Sequence, residues 1–262
     1  MAANPLPREL APGVFWLGDC LDQPHGDVML HGYSSLYVLA GADSSVIIEA
    51  GHPKDLVVVE SQIEQLVQRG IPEVRFIFTT HQETPHSSGV GRMLQRFPEA
   101  VLCGSTSDFH LVFPQYVDRL RPMEIGDSID LGGTRLVVVE AVIRDLLNTQ
   151  WAYDTASRTL FPGDGFAYNH YHGLGQCGKV AEEVPGLDLE AMTAMFAEFA
   201  LYWTQFCDLE PYIERLDELI EELGVDLIAP SHGLPITDLD ETMPRVREGL
   251  RQGSAHGAPR AT

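Results

Sequence analysis

Cysteine is scarce and scattered in this 262-residue chain: Cys20, Cys103, Cys177 and Cys207 lie far apart and form no CxxC pair. That pattern fits reduced thiols better than a disulfide framework or a thiolate zinc site. Positive charge is short as well, with 17 Lys and Arg against 38 Asp and Glu, a net charge of −21. Such an acidic field repels phosphate backbones and anionic membranes, so neither nucleic acid nor a membrane is an expected partner. Nowhere is there an apolar run of about 18 residues, the length a membrane helix needs. The opening MAANPLPREL lacks a basic start followed by an apolar core. Neither a signal peptide nor a membrane span is expected, and a cytoplasmic location follows.

What remains is an ordinary globular composition, 44% apolar and 21% charged, with 24 Gly and 17 Pro. A single domain over residues 1–250 with a loose tail at 251–262 is expected. The runs at 14–18, 34–40 and 44–49 are rich in β-formers and read as strands, the last two separated by the turn Gly41-Ala42-Asp43. Residues 54–69 carry apolar positions at helical spacing up to Gly70, and residues 74–80 then read as a buried strand ending at His81. A short helix near 88–96 and strands near 100–103, 128–131, 134–143, 150–154 and 158–162 follow. Residues 188–223 turn helical with a break near Cys207–Pro211, and 225–230 reads as a strand running into Ser231-His232-Gly233. Sheets covered by helices on their outer faces are the expected architecture.

The chemistry concentrates where strands stop. His81, Glu83 and His86 emerge within six residues from the end of an apolar strand. Residues two apart in an extended stretch share a side, and a turn after Glu83 can bring His86 round beside them. Asp164, between two glycines in FPGDGF, and His232, in APSHG, repeat the pattern at two further strand ends. Several strand ends offering imidazole or carboxylate within one domain point to a metal centre.

TTHQETPHSSG, FPGDGF and APSHG, in this order and at these intervals, resemble the metallo-β-lactamase superfamily over residues 12–250. Within it the chain is most similar to the di-iron domain of flavodiiron proteins and stand-alone oxygen-binding di-iron proteins. Glu83, the stretch 141–153, Asp164-Gly165-Phe166 and Tyr202-Trp203 carry that closer likeness. The resemblance implies an α/β fold, a metallo-β-lactamase-like four-layer αββα sandwich. It assigns His81 and Glu83 to one metal and His86 and His232 to a second, with Asp164 bridging. Pro85 stands where the motif has an Asp, and Asp145 falls where a third first-site His is expected. The resemblance also suggests that a histidine of the first strand loop, His25 in preference to His31, caps the centre. Tyr168, His170, Tyr171 and His172 follow Asp164 and are candidates for proton donation or gating, with Tyr168 and His172 foremost. Glu49 occupies the position of a supporting Asp, and His52, His110 and His256 carry no assigned role in binding.

Three imidazoles and three carboxylates (Glu83, Asp145, Asp164) make a harder, more anionic shell than a five-histidine set. That shell favours iron or manganese over zinc in relative terms and stabilises a ferric state. Two Fe ions are the expected cofactor, with Zn or Mn as alternatives, at a separation of roughly 3.5 Å. The first expectation is a non-haem di-iron oxidoreductase that binds or activates O2 or NO and acts on a small molecule. No flavin or iron–sulfur motif is visible, so electrons would come from an external donor. A zinc-dependent hydrolase of a lactone, thioester or ester is the second expectation, and a non-catalytic sensor or a degenerate member that binds one metal or none the third. A homodimer is compatible with the amphipathic helices of 188–223.

Overall fold

The computed structural model describes residues 5–171 and 176–255. The chain opens with β1 (Arg8–Ala11) and β2 (Val14–Leu17), a hairpin of β3 (Cys20–His25) and β4 (Val28–Tyr33), then β5 (Leu36–Ala40) and β6 (Ser45–Ile48). Helix α1 (Leu56–Gln68) leads to β7 (Val74–Thr79), α2 (Thr84–Ser87), α3 (Val90–Arg96), β8 (Val101–Gly104), α4 (Phe109–Val112) and β9 (Leu120–Pro122). The second half holds β10 (Ser128–Asp130), β11 (Arg135–Val139), β12 (Trp151–Asp154), β13 (Thr159–Phe161), α5 (Leu189–Ala200), α6 (Glu210–Leu223), β14 (Leu227–Ile228) and α7 (Leu239–Ala255).

Two sheets result. One has seven strands in the order β1-β2-β5-β6-β7-β8-β9, the other five in the order β10 to β14, and β3–β4 pair separately. The apolar runs of β5 to β8 have no polar face because the first sheet is buried on both sides. Tyr37, Leu39, Val46, Ile48, Phe78 and Cys103 face the second sheet and pack with Leu136, Val138, Trp151 and Phe161. Their alternating neighbours Leu36, Val38, Ile47, Ile77 and Leu102 face outward, under Val59, Ile63 and Leu66 of α1 and Met93 and Leu94 of α3. Helices α5, α6 and α7 complete the core around the second sheet through Met192, Leu216 and Val246. The layers are α, β, β, α, as expected.

Strand direction sets the position of the site. β6, β7 and β8 run parallel, as do β13 and β14, so their carboxyl ends open on the same rims of the sandwich. Leu160 pairs with Ile228 in that second parallel register, and Ser231 N–H donates to the Gly163 carbonyl at 2.9 Å. Asp164 and His232, each four residues past that pair, therefore emerge side by side.

Four expectations need correction. The strand expected at 134–143 ends at Val139, where its pairing with Trp151 stops and the chain leaves the sheet towards Asp145. The strand expected at 225–230 has only two residues, because it meets Pro230, which has no N–H to add to a ladder. The β3–β4 hairpin and β1 were not anticipated. Residues 251–255 are no loose tail but the last turn of α7. Their small side chains look unstructured in sequence yet let α7 approach α5: a Cβ on Gly253 would lie 2.8 Å from the Ala194 carbonyl oxygen. The rest of the expected tail, from His256 on, lies outside the described residues.

The turn that carries Asp164 leaves no room at its second glycine. A Cβ on Gly165 would sit 2.3 Å from Trp151 Cζ2 and 2.8 Å from the Ile143 carbonyl oxygen. Gly165→Ala is expected to cost about 1–3 kcal/mol through overpacking, read as a lower urea midpoint.

Candidate metal centre

His81, Glu83, His86 and Asp164 each offer one ligand atom, all within 4.8 Å of one another, and three of the four residues are buried. Asp145 and His232 join from opposite sides. Asp145 Oδ2 lies 3.3 Å from His81 Nε2, and His232 Nε2 lies 3.7 Å from Asp164 Oδ1. Asp164 Oδ1 is also 3.3 Å from His86 Nε2. Glu83 Oε2 stands 3.8 Å from Nε2 of both His81 and His86, between the two halves.

Local structure explains each placement. His81 follows β7 directly. Glu83 is extended, with φ −124° and ψ 158°, and α2 then turns His86 back over it. Pro85 sits in the first turn of α2, where its missing N–H breaks no helical bond. Thr149 Oγ1 donates to Asp145 Oδ1 at 2.9 Å, and Trp203 Nε1 holds the Arg144 carbonyl at 2.7 Å, which fixes the Asp145 turn.

The imidazoles are held by their other nitrogens. Thr80 Oγ1 donates to Glu49 Oε1 and so accepts from His81 Nδ1 at 2.9 Å. His232 Nδ1 donates to the Tyr33 carbonyl at 2.6 Å. His86 Nδ1 faces Glu49 Oε1 at 3.4 Å. Each arrangement turns an Nε2 towards carboxylates, the usual way in which outer partners orient a metal-ligating histidine. Among the buried atoms without a hydrogen-bond partner are His81 Nε2, His86 Nε2 and Asp164 Oδ1. Buried acceptors facing acceptors are costly unless a cation lies between them. The donor set thus fits a dinuclear metal site, with His81, Glu83, Asp145 and Asp164 on one side and His86, His232 and Asp164 on the other.

Glu49 is the support on which this depends. Its carboxylate also accepts from Ser231 Oγ at 3.2 Å, so it links the ends of β6, β7 and β14. Its φ of +66°, uncommon for a residue with a side chain, is held by the N–H bond to the Phe78 carbonyl at 2.8 Å.

Charge follows the same geometry. Burial opposes a proton on His86, but the carboxylates of Asp164 and Glu49 outweigh it and raise its pKa well above the ordinary value. Burial opposes ionisation of Asp164, yet His86 and His232 hold its pKa far below the carboxylate range. The hydrogen bond with His81 lowers Glu83, while burial lowers His232 despite Asp164 beside it.

Of the remaining candidates, His25 is exposed, the last residue of β3 at the turn end of its hairpin. The Tyr168 hydroxyl donates to the Leu234 carbonyl at 3.4 Å, and its ring packs beneath Gly233. It braces the His232 loop rather than presenting a proton to the centre. His170 is buried and stacks on Tyr33 at 6.3 Å. His172 lies outside the described residues. Sequence reading missed Thr80, Thr149, Ser231 and Phe196, whose ring lies 5.7 Å from that of His232. The first and third of these directly adjoin predicted ligands, a signal that could have found them.

The architecture is that of a metallo-β-lactamase-like αββα domain, and its strand ends gather a cluster of imidazoles and carboxylates. More closely, its fold is that of the metallo-β-lactamase-like domain of flavodiiron proteins. It superposes with a TM-score of 0.75 on the rubredoxin oxygen:oxidoreductase of Desulfovibrio gigas, at 12% identity, covering 93% of this chain and 60% of that one. The flavodiiron protein of Giardia intestinalis gives 0.72 at 16% identity, over 94% and 59% of the two chains. In sequence the chain is similar to the coenzyme F420H2 oxidase of Methanothermobacter marburgensis, 26% identical over 245 residues, which are 88% of this chain and 58% of that protein. The chain thus spans little more than half the length of the curated relatives it matches. No family model matches it. Among the described residues no helix is long and apolar enough to cross a membrane.

Asp164→Ala is expected to abolish binding of both metals, and Asp145→Ala to remove about one equivalent, by elemental analysis of the purified protein. Full metal retention in Asp145→Ala would remove Asp145 from the ligand set. Because a metal at His86 competes with a proton that Asp164 and Glu49 hold there, binding is expected to weaken as pH falls. A competitive chelator titration reads this directly.

Proposed function

We propose that the cluster holds two iron ions and that the chain is an oxidoreductase domain acting on O2 or NO, with electrons delivered by an external donor. One observation carries the reading: three imidazoles and three carboxylates converge, with buried Nε2 and Oδ1 atoms left for a cation to satisfy. The carboxylates offset three of the four charges of a diferrous pair, which favours iron in relative terms and higher oxidation states. Similarity to an F420H2 oxidase and to rubredoxin oxygen:oxidoreductase supports the same chemistry.

Bound iron would supply one-electron redox chemistry and open coordination positions. The chain's residues supply the rest. Asp164 holds His86 and His232 towards a common point, and Glu83, half exposed, faces both halves at the mouth. Glu49 and Thr80 orient His86 and His81 so that their Nε2 atoms face inward. Beside Asp145 a cavity of about 490 Å3 opens, lined by Glu140, Val142, Arg144, Leu147, Trp203 and Tyr212. Its apolar walls and mixed charge suit the approach of a small molecule or an electron carrier from the Asp145 side.

The hydrolase alternative is not favoured. Pro85 leaves the His86 side without the motif's carboxylate, and the curated relatives include oxidases. Zinc or manganese would fit the same donors, and only metal analysis separates them.

Protein produced in iron-supplemented medium is expected to contain about two irons per chain and to show visible absorption that dithionite bleaches. Reduced protein should consume O2 or NO in excess of a metal-free control. Two tightly held zincs that iron supplementation fails to replace, with ester turnover and no O2 or NO consumption, would overturn the proposal.

A further inference from the structure

The β3–β4 hairpin gathers a second group of metal-binding side chains, which shares no residue with the dinuclear centre. In its antiparallel register Cys20 pairs with Tyr33 and Asp22 with His31. Cys20 and Asp22 are two apart and share a face, and His31 stands directly across from Asp22 and diagonal to Cys20. The contacts bear this out: Cys20 Sγ is 3.2 Å from His31 Nδ1, which is 2.9 Å from Asp22 Oδ1. One ligand atom of each lies within 4.8 Å of the other two. A distant part of the chain braces the same hairpin, where Gly178 N–H donates to the Tyr33 hydroxyl at 2.9 Å.

We propose that Cys20, Asp22 and His31 form a mononuclear site for a divalent transition ion of the zinc class. A thiolate, an imidazole and a carboxylate supply one S–metal, one N–metal and one O–metal bond, and water completes the tetrahedron. The thiol proton leaves to solvent as the ion binds. Tetrahedral zinc with bonds of about 2.0–2.3 Å spaces its donors roughly 3.4–3.8 Å apart. The present contacts are within about half an ångström of that spacing, so a small outward movement of the side chains admits the ion.

The ion would stiffen the hairpin that meets the segment following Asp164. The two meet through reciprocal backbone bonds between His31 and His170, at 2.7 and 2.9 Å. Tyr33 links the two groups, since it pairs with Cys20 in the hairpin while its carbonyl holds His232 Nδ1. Metal at the hairpin would therefore fix the backbone that orients a ligand of the dinuclear site.

Cobalt(II) is the probe, because thiolate-to-cobalt charge transfer gives a near-ultraviolet band that the cysteine-free dinuclear centre cannot produce. Full-length protein, reduced, anaerobic and already loaded with iron, is titrated with cobalt(II). The expected result is a band saturating at one equivalent and displaced by zinc. Cys20→Ser and His31→Ala should abolish it, exposed Asp22→Asn should weaken binding about tenfold, and Cys207→Ser should leave it unchanged. Absence of the band, its persistence in Cys20→Ser, or unchanged affinity in a folded Asp22→Asn would overturn the proposal. So would a disulfide at Cys20 found by mass spectrometry in the reduced, anaerobic protein.

Discussion

Three imidazoles turning their Nε2 atoms towards buried carboxylates are the arrangement on which the rest of this molecule depends. Acceptors do not gather in a protein interior without a positive charge between them, because each would lose its hydration and gain nothing in exchange. Here two of the opposing nitrogens are committed, His81 to Thr80 and His232 to the Tyr33 carbonyl, while that of His86 stands 3.4 Å from Glu49. The parallel strand ends of both sheets supply the groups, and Glu49 connects them across the sandwich.

Two departures from the motif of the resembling superfamily fall on opposite sides of the cluster. Pro85 removes a carboxylate near His86, while Asp145 adds one near His81. The side holding His81, Glu83 and Asp145 is accordingly harder and more anionic, and the side holding His86 and His232 is softer. The two positions are chemically unequal although they share Asp164. The cavity opens beside Asp145, on the harder side.

The layers and the ligands were legible because each rests on a local pattern. Short β-rich runs such as residues 76–78 fit strands covered on both faces, and imidazoles or carboxylates just after them mark strand ends. Asp145 was found only by resemblance, since an Arg-Asp turn carries no periodic signal. What the sequence hid were features made by distant partners. The β3–β4 hairpin has polar residues and a proline, and it acquires meaning only through its pairing with His170. The end of α7 reads as a tail of small residues until α5 is seen against it. Tyr168 was placed near the chemistry by proximity in sequence, which says nothing of where a hydroxyl points. The four cysteines read as scattered because spacing along the chain does not report the side chains a hairpin brings beside Cys20.

Asp164 and His232 each stand four residues beyond one pair of a two-strand parallel ladder, Leu160 with Ile228. Their alignment is therefore a matter of counting. Loop length in FPGDGF and APSHG is fixed as firmly as residue identity, since one inserted or deleted residue would rotate a ligand out of reach. The Asp145 turn is tied by side-chain bonds rather than by ladder register, so this part of the domain has more latitude to vary in length while the metal-binding geometry is kept.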